Sequence, residues 1–215
     1  MEQRLEKHIN LLISRYPALS VCREDIVKAF EIMEECYKNG GKLLIAGNGG
    51  SAADSEHIVG ELMKSFKIKR KVPSEFVEKL ISIDPIRGKI LADNLECGLM
   101  AISLTNHEAL STAFINDVDG LGVFAQQIYG FGRPGDVFLA ISTSGNSKNI
   151  IPATVVARAL RLKVVGLTGA DGGELAKVAD VAVRVPQTET YMVQELHLPV
   201  YHTWCLMLED AFFGN

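Results

Sequence analysis

The strongest constraint on this chain is a set of short apolar runs that have no polar face. Residues 42–46, 100–104, 137–141, 163–167 and 181–185 are apolar throughout or nearly so, and stretches of helical periodicity separate them. A strand that alternates would put one face in water. A strand that does not must be covered on both faces, which is the condition of a parallel sheet whose crossover helices lie on either side. The expected fold is therefore α/β, a three-layer sandwich around a five-stranded parallel sheet. No internal repeat, low-complexity tract or linker interrupts it, so residues 1–215 read as one domain.

Two amphipathic helices precede the first strand. Ile26, Phe30, Met33 and Tyr37 fall at helical spacing, and Asn39-Gly40-Gly41 ends that helix. Leu5, Ile9, Leu12 and Ile13 mark a shorter one, broken near Tyr16-Pro17. With no strand yet to cover, residues 1–39 are expected to pack on another subunit. Residues 66–99 are the least regular part and read as a variable insertion. It opens basic (Lys67, Lys69, Arg70, Lys71), turns at Asp84-Pro85, and continues as a helix from Ile86 to Leu99. The basic run reads as a solvated surface, with a lid or interface over an anionic ligand as the sharper alternative.

A net charge of −4 argues against general nucleic-acid binding, which needs a basic field. No apolar run approaches the length that spans a bilayer, and the N-terminus lacks a signal peptide's apolar centre. A cytoplasmic location is expected. Cys22, Cys36, Cys97 and Cys205 are scattered, with no Cys-x-x-Cys pair, and read as small core residues.

In parallel α/β sheets, ligands sit at the carboxyl ends of strands. Three polar loops stand there: Asn48 to Ser51, Thr105 to His107, and Ser142 to Ser147. The first leads through glycines into a helix that opens at Ser51, leaving N–H groups and a helix N-terminus facing one pocket. The third carries Ser142, Thr143, Ser144 and Ser147 before a helix expected over 148–161. One hydroxyl would cap a helix; four in six residues suit a phosphate monoester. Neither loop is a Walker motif, and Gly47-Asn48-Gly49-Gly50-Ser51 is not Gly-x-Gly-x-x-Gly, with no acidic residue after the second strand where a ribose would need it, which argues against a dinucleotide site. His57 and Glu61 lie four apart on the first helix, sharing a face.

Gly47-Asn48-Gly49-Gly50-Ser51 together with Ile141-Ser142-Thr143-Ser144-Gly145-Asn146-Ser147 resembles the sugar isomerase (SIS) domain family. Leu167-Thr168-Gly169-Ala170-Asp171-Gly172-Gly173, and Gln194-Glu195-Leu196-His197 followed by His202, resemble its phosphoheptose isomerase branch. The resemblance implies a flavodoxin-like five-stranded sheet and a homotetramer with active sites at subunit interfaces. It implies an aldose–ketose isomerase that converts sedoheptulose 7-phosphate to D-glycero-D-manno-heptose 7-phosphate. Substrate contacts are implied at Asn48, Gly49, Gly50, Ser51, His57, Glu61, Asn116, Asp117, Ser142, Thr143, Ser144, Ser147 and Gln194. Glu61 and His202 match the acid–base pair, and a zinc ion is implied on His57, Glu61, Gln194 and His202. The family's acidic residue three before the glutamine is Tyr191 here, and its basic residue after the glutamate is Lys64 or Lys67.

The chemistry agrees. An aldose–ketose isomerase takes a proton from carbon beside a carbonyl, returns it to the neighbouring carbon, and moves a proton between two oxygens. A carboxylate and an imidazole flanking an ene-diol do both. Gln194 and His202 are about 80° apart round one helix and can face one site, although Pro199 between them is expected to kink it. His197 reads as structural. Two non-catalytic readings compete: a sugar-phosphate-binding regulator, and a partner-binding protein of the same fold. Neither needs both Glu61 and His202.

Overall fold

Parallel pairing is fixed by the apolar runs themselves. In the computed structural model, which describes residues 3–214, they form β1 (Leu43–Ala46), β2 (Ala101–Ser103), β3 (Val137–Ile141), β4 (Lys163–Thr168) and β5 (Val181–Arg184). All pairs are parallel and the order is β2-β1-β3-β4-β5. The chain leaves β1 in one direction to form β2 and returns to the other side of β1 to form β3. That reversal is the topological switch point, where the loops after β1 and β3 diverge and leave a crevice.

Alternate strand residues feed opposite layers. Leu43, Ile45, Leu139, Val165 and Val183 join one core with α1 (Gln3–Arg15), α2 (Arg23–Lys38), α3 (Gly50–Met63) and α10 (Thr190–Phe213). Leu44, Ala46, Phe138, Ala140 and Val164 join the other with α7 (Val123–Phe131), α8 (Ile150–Ala159) and α9 (Gly173–Val178). Each such large side chain taken fully from water contributes about 1.5–3 kcal/mol, so both layers are needed to hold the sheet. Trp204 ties α10 to α2 by donating from its indole to the Ile26 carbonyl at 3.0 Å.

Two expectations change. The apolar stripe of the N-terminal helices is covered within the chain rather than by another subunit. Ile26, Phe30 and Met33 lie in the sheet's core, and Leu5, Ile9 and Leu12 join it. The missing partner was α10, some 170 residues downstream and invisible to a local reading.

The 66–99 segment forms not one helix but two. α4 (Ser74–Ile83) and α5 (Pro85–Asn94) meet at Asp84, whose carboxylate accepts from the Ile86 and Arg87 N–H groups as an N-cap. The helix expected as far as Leu99 ends at Asn94, and 95–99 is extended, pinned by a Lys71–Glu96 bridge and the Cys97 N–H to the Arg70 carbonyl at 2.7 Å. Arg70 itself is neither on a solvated surface nor in a lid. It is 1% exposed and ion-paired to the equally buried Glu209.

Elsewhere the helical stretch after β2 divides as expected, into α6 (Glu108–Asp117), a short 3₁₀ turn and α7. α8 starts at Ile150 rather than Lys148. α10 runs unbroken through Pro199. Among the described residues no helix is long and apolar enough to cross a membrane. The four cysteines are free; burial raises the thiols of Cys22 and Cys36 to about 11, which removes them as nucleophiles.

Candidate active site

The loop after β1 turns on glycines because nothing else fits. Gly49 has φ +56°, and a Cβ on Gly47 would collide with the Ser51 backbone. A Cβ on Gly50 would stand 2.5 Å from the Gln194 amide nitrogen, so the bare glycine is what lets α10 bring Gln194 against the loop. Ser51 is buried on the first turn of α3.

The loop after β3 is built the same way. Ser142 and Ser147 share a hydrogen bond between their hydroxyls at 2.8 Å. The Asn146 N–H donates to the Ser144 hydroxyl at 3.1 Å, and Gly145 adopts φ +68°. Ile150 and Ile151 N–H groups both donate to the Ser147 carbonyl, and the helix begins at Ile150, two residues later than expected. Thr143, Ser144, Asn146, Gly169, Asp171, Gln187 and Thr188 help line a cleft of about 170 Å³ beside this loop. A wider cavity, about 670 Å³, opens at the opposite, N-terminal ends of β3 to β5 and touches none of these loops.

Asn149 crosses the switch point and locks the two loops together. Its side-chain amide exchanges two hydrogen bonds with that of Asn48, both 2.9 Å. The sequence reading missed Asn149. Its only signal was its position, two residues past the serine cluster.

Further along α3, Asp54, His57 and Glu61 meet Tyr201 and His202 of α10. His57 Nε2 lies 3.2 Å from Glu61 Oε1 and 3.4 Å from His202 Nε2. Lys64 Nζ reaches Glu61 Oε2 at 3.3 Å. On its other side, His57 Nδ1 is 3.0 Å from the Tyr201 hydroxyl, which donates to Asp54 Oδ1 at 3.2 Å. Phe66 and Tyr201 flank the His202 ring at 5.5 and 5.1 Å between centroids. Burial, reinforced by the neighbouring His57, holds His202 below the usual histidine range, so near pH 7 it is neutral and able to accept a proton. Burial also raises the Asp54 carboxyl above its usual range, against the pull of Tyr201 and His57.

The structure thus assembles the expected residues in groups. Gly50, in the loop from Asn48 to Ser51, meets Gln194. Ser142 meets Ser147. His57 meets Glu61 and His202. Among the described residues no hydrogen bond or ion pair links Glu61 or His202 to the serine loop, and Ser51 to Glu61 is about 15 Å along α3. Asn116 and Asp117 end α6 on the exposed surface, bonded to one another at 2.8 Å and apart from both groups.

For zinc, the donor types suit the metal. As they stand, however, no group of three or more His, Cys, Asp and Glu side chains among the described residues forms a metal cage. Gln194 packs on Gly50.

The sequence profile of the SIS domain matches residues 17–80 and 91–169. A phosphoheptose isomerase of Geotalea daltonii is 39% identical over 190 residues, spanning 88% of this chain and 85% of that protein. The solved phosphoheptose isomerase of Neisseria gonorrhoeae superimposes with a TM-score of 0.73 at 32% identity, covering 97% of this chain and 98% of the other. That of Francisella tularensis gives 0.73 at 29% identity over 97% and 100%.

Proposed function

The chain belongs to the SIS domain family, in its phosphoheptose isomerase branch, and from that premise we propose that it interconverts sedoheptulose 7-phosphate and D-glycero-D-manno-heptose 7-phosphate. The observation that carries the chemistry is the contact of Glu61, His57 and His202 across α3 and α10. The Glu61 carboxylate removes the carbon-bound proton beside the ketose carbonyl. The electron pair moves into a carbon–carbon double bond and the carbonyl oxygen takes a proton, giving the ene-diol. Return of a proton to the old carbonyl carbon, with loss of one from the terminal hydroxyl, leaves the aldose. His202, held neutral, exchanges the oxygen protons. Each group contributes about 10²–10⁴-fold. The serine loop and the N-terminus of α3 take the phosphate, through hydroxyls, N–H groups and the helix dipole.

Incubation with ketose phosphates in deuterated water tests this. Deuterium at carbon 2 of the aldose from sedoheptulose 7-phosphate is expected. Glu61→Gln should abolish exchange while the ketose phosphate still binds. Full turnover by that variant refutes Glu61 as the base.

The reading includes a homo-oligomer, most simply a tetramer, whose subunit contacts complete the sites. Supporting this, the α4–α5 hairpin buries almost nothing in its own chain and exposes Ile83 (84%), Ile86 (76%) and Ile90 (56%). Asn116 and Asp117 also stand apart from the rest of the site. Light scattering that gives a monomer at assay concentration overturns it. A cytoplasmic location is supported by the four unbridged cysteines.

The reading also includes Zn²⁺, held by His57, Glu61 and His202 with Gln194 as the fourth candidate. When bound it would polarise the substrate oxygens. Its support is the spacing of 3.2 and 3.4 Å from His57 Nε2 to its two neighbours, close to the edge of a zinc tetrahedron, about 3.3 Å. Elemental analysis should find zinc in the purified protein and none in His57→Ala.

A further inference from the structure

Tyr201 is almost fully buried, yet its hydroxyl sits between two polar side chains of α3. The phenol has a single proton. Asp54 Oδ1, at 3.2 Å, is a carboxylate oxygen and accepts; the proton therefore points to Asp54. Toward His57 Nδ1, at 3.0 Å, the Tyr201 oxygen is left only with its lone pair, so Nδ1 must carry a hydrogen. The edge-on packing of the two rings, 5.5 Å apart and 76° inclined, fixes the plane in which that bond is made. With Nδ1 committed, the unprotonated Nε2 faces His202 Nε2 at 3.4 Å, from which it can accept, and the Glu61 carboxylate at 3.2 Å, a contact between two acceptors that a hydroxyl or cation placed between them relieves.

We propose that Tyr201 and Asp54 are positioning residues that hold His57 in its Nδ1–H tautomer, presenting Nε2 to the pocket as a lone-pair donor for a sugar hydroxyl or a divalent cation. The chain Asp54–Tyr201–His57 is the familiar logic by which a carboxylate fixes an imidazole, extended by one phenol. Neither residue touches the reacting carbons. Both act through His57, and the kinetic half of the proposal rests on the isomerase reading above.

The test uses the full chain labelled with ¹⁵N-histidine, with His57→Gln to assign the resonance. Two-bond proton–nitrogen spectra of the wild type should show His57 protonated on Nδ1. Tyr201→Phe keeps the ring and removes the hydroxyl; the His57 pattern should move toward the Nε2–H form, with kcat down about 10–100-fold and KM nearly unchanged. Asp54→Leu should have the same spectral effect. Asp54→Asn, whose amide oxygen still accepts from Tyr201, should keep the wild-type pattern. A wild-type His57 protonated on Nε2 overturns the proposal, as does an unchanged spectrum in folded Tyr201→Phe and Asp54→Leu. Expected spectra with no turnover by the wild type would leave the positioning role standing and sink the isomerase assignment instead.

Discussion

Arg70 holds the end of the helix that carries the proposed base, and its removal should be felt in both stability and catalysis. Its guanidinium donates to Glu209 Oε1 from Nε at 3.0 Å, to the Leu62 carbonyl at 2.6 Å and to the Glu61 carbonyl at 3.1 Å. Those carbonyls belong to the last turn of α3 and have no partner within the helix; the Leu99 N–H also donates to the Leu62 carbonyl at 2.9 Å, and the buried cation satisfies both carbonyls while complementing the helix dipole. Glu209 completes the clamp by accepting from the Phe66 and Lys67 N–H groups at 2.7 and 2.8 Å. Both side chains are 1% exposed. Arg70→Met leaves a buried carboxylate without its counter-ion, a change that costs about 3–5 kcal/mol. For a chain of this size that is a fall in Tm of about 6–20 °C. Arg70→Met/Glu209→Met removes both charges and should recover a large part of the loss. Urea melts of the two single variants and the double give the coupling directly. Because the clamp holds the Glu61 backbone, Arg70→Met should also lower kcat more than it raises KM. A stability loss under about 1 kcal/mol, or single effects that simply add, would show that the pair is not the clamp described.

Three further outcomes are expected. His197 is fully buried and neither ring nitrogen has a hydrogen-bond partner among the described residues; burial lowers it to about 4, against a smaller upward pull from the Thr168 backbone. The native state keeps the ring neutral while the unfolded chain protonates near pH 6.5, so its contribution is complete above that pH and is lost as pH falls toward 4, by about 3 kcal/mol; His197→Met should flatten that part of the stability–pH curve, measured by urea melts at each pH. Gly50→Ala puts a methyl into the space of the Gln194 amide, the movable end of a side chain, so KM should rise several-fold with little change in Tm. Asn149→Ala breaks the paired amides across the switch point, and the loss of about 1 kcal/mol of loop order should raise KM about fivefold while kcat holds.

The sheet was legible because its residues obey a local rule: Val137 to Ile141 are apolar at every position, and only a parallel strand covered on both sides accommodates that. The glycine turn was legible for the same kind of reason, since a Cβ at Gly47 has nowhere to go. What escaped depended on distant pairing. Ile26 and Phe30 were amphipathic on inspection, but their cover lies on α10, as with Trp204 and the Ile26 carbonyl. Arg70 looked like one more exposed cation because nothing in a run of lysines marks the one that meets Glu209, 139 residues later. At the site, Asp54 was within reach: it stands three before His57, on the same helical face. Tyr201 was not, because its role exists only once α3 and α10 are side by side.

α10 shows how one register decides the fate of two histidines. His197 and His202 are five residues apart, about 140° round the helix, so they cannot face the same layer. The helix is anchored by Val193, Val200, Trp204 and Met207 in the core under the sheet. That anchoring turns His197 inward, where its ring is dry and neutral, and leaves His202 on the edge that meets α3. There it finds His57, Phe66 and the Glu61 carboxylate rather than solvent alone. Pro199 lies between them without ending the helix; its buried ring is part of the packing, and its carbonyl accepts from the Thr203 hydroxyl at 2.8 Å. A one-residue slip of α10 would rotate His202 by about 100°, enough to take it out of reach of His57. The apolar residues that fix this register are therefore as necessary to the proposed proton transfers as the imidazole itself, although none of them approaches the substrate.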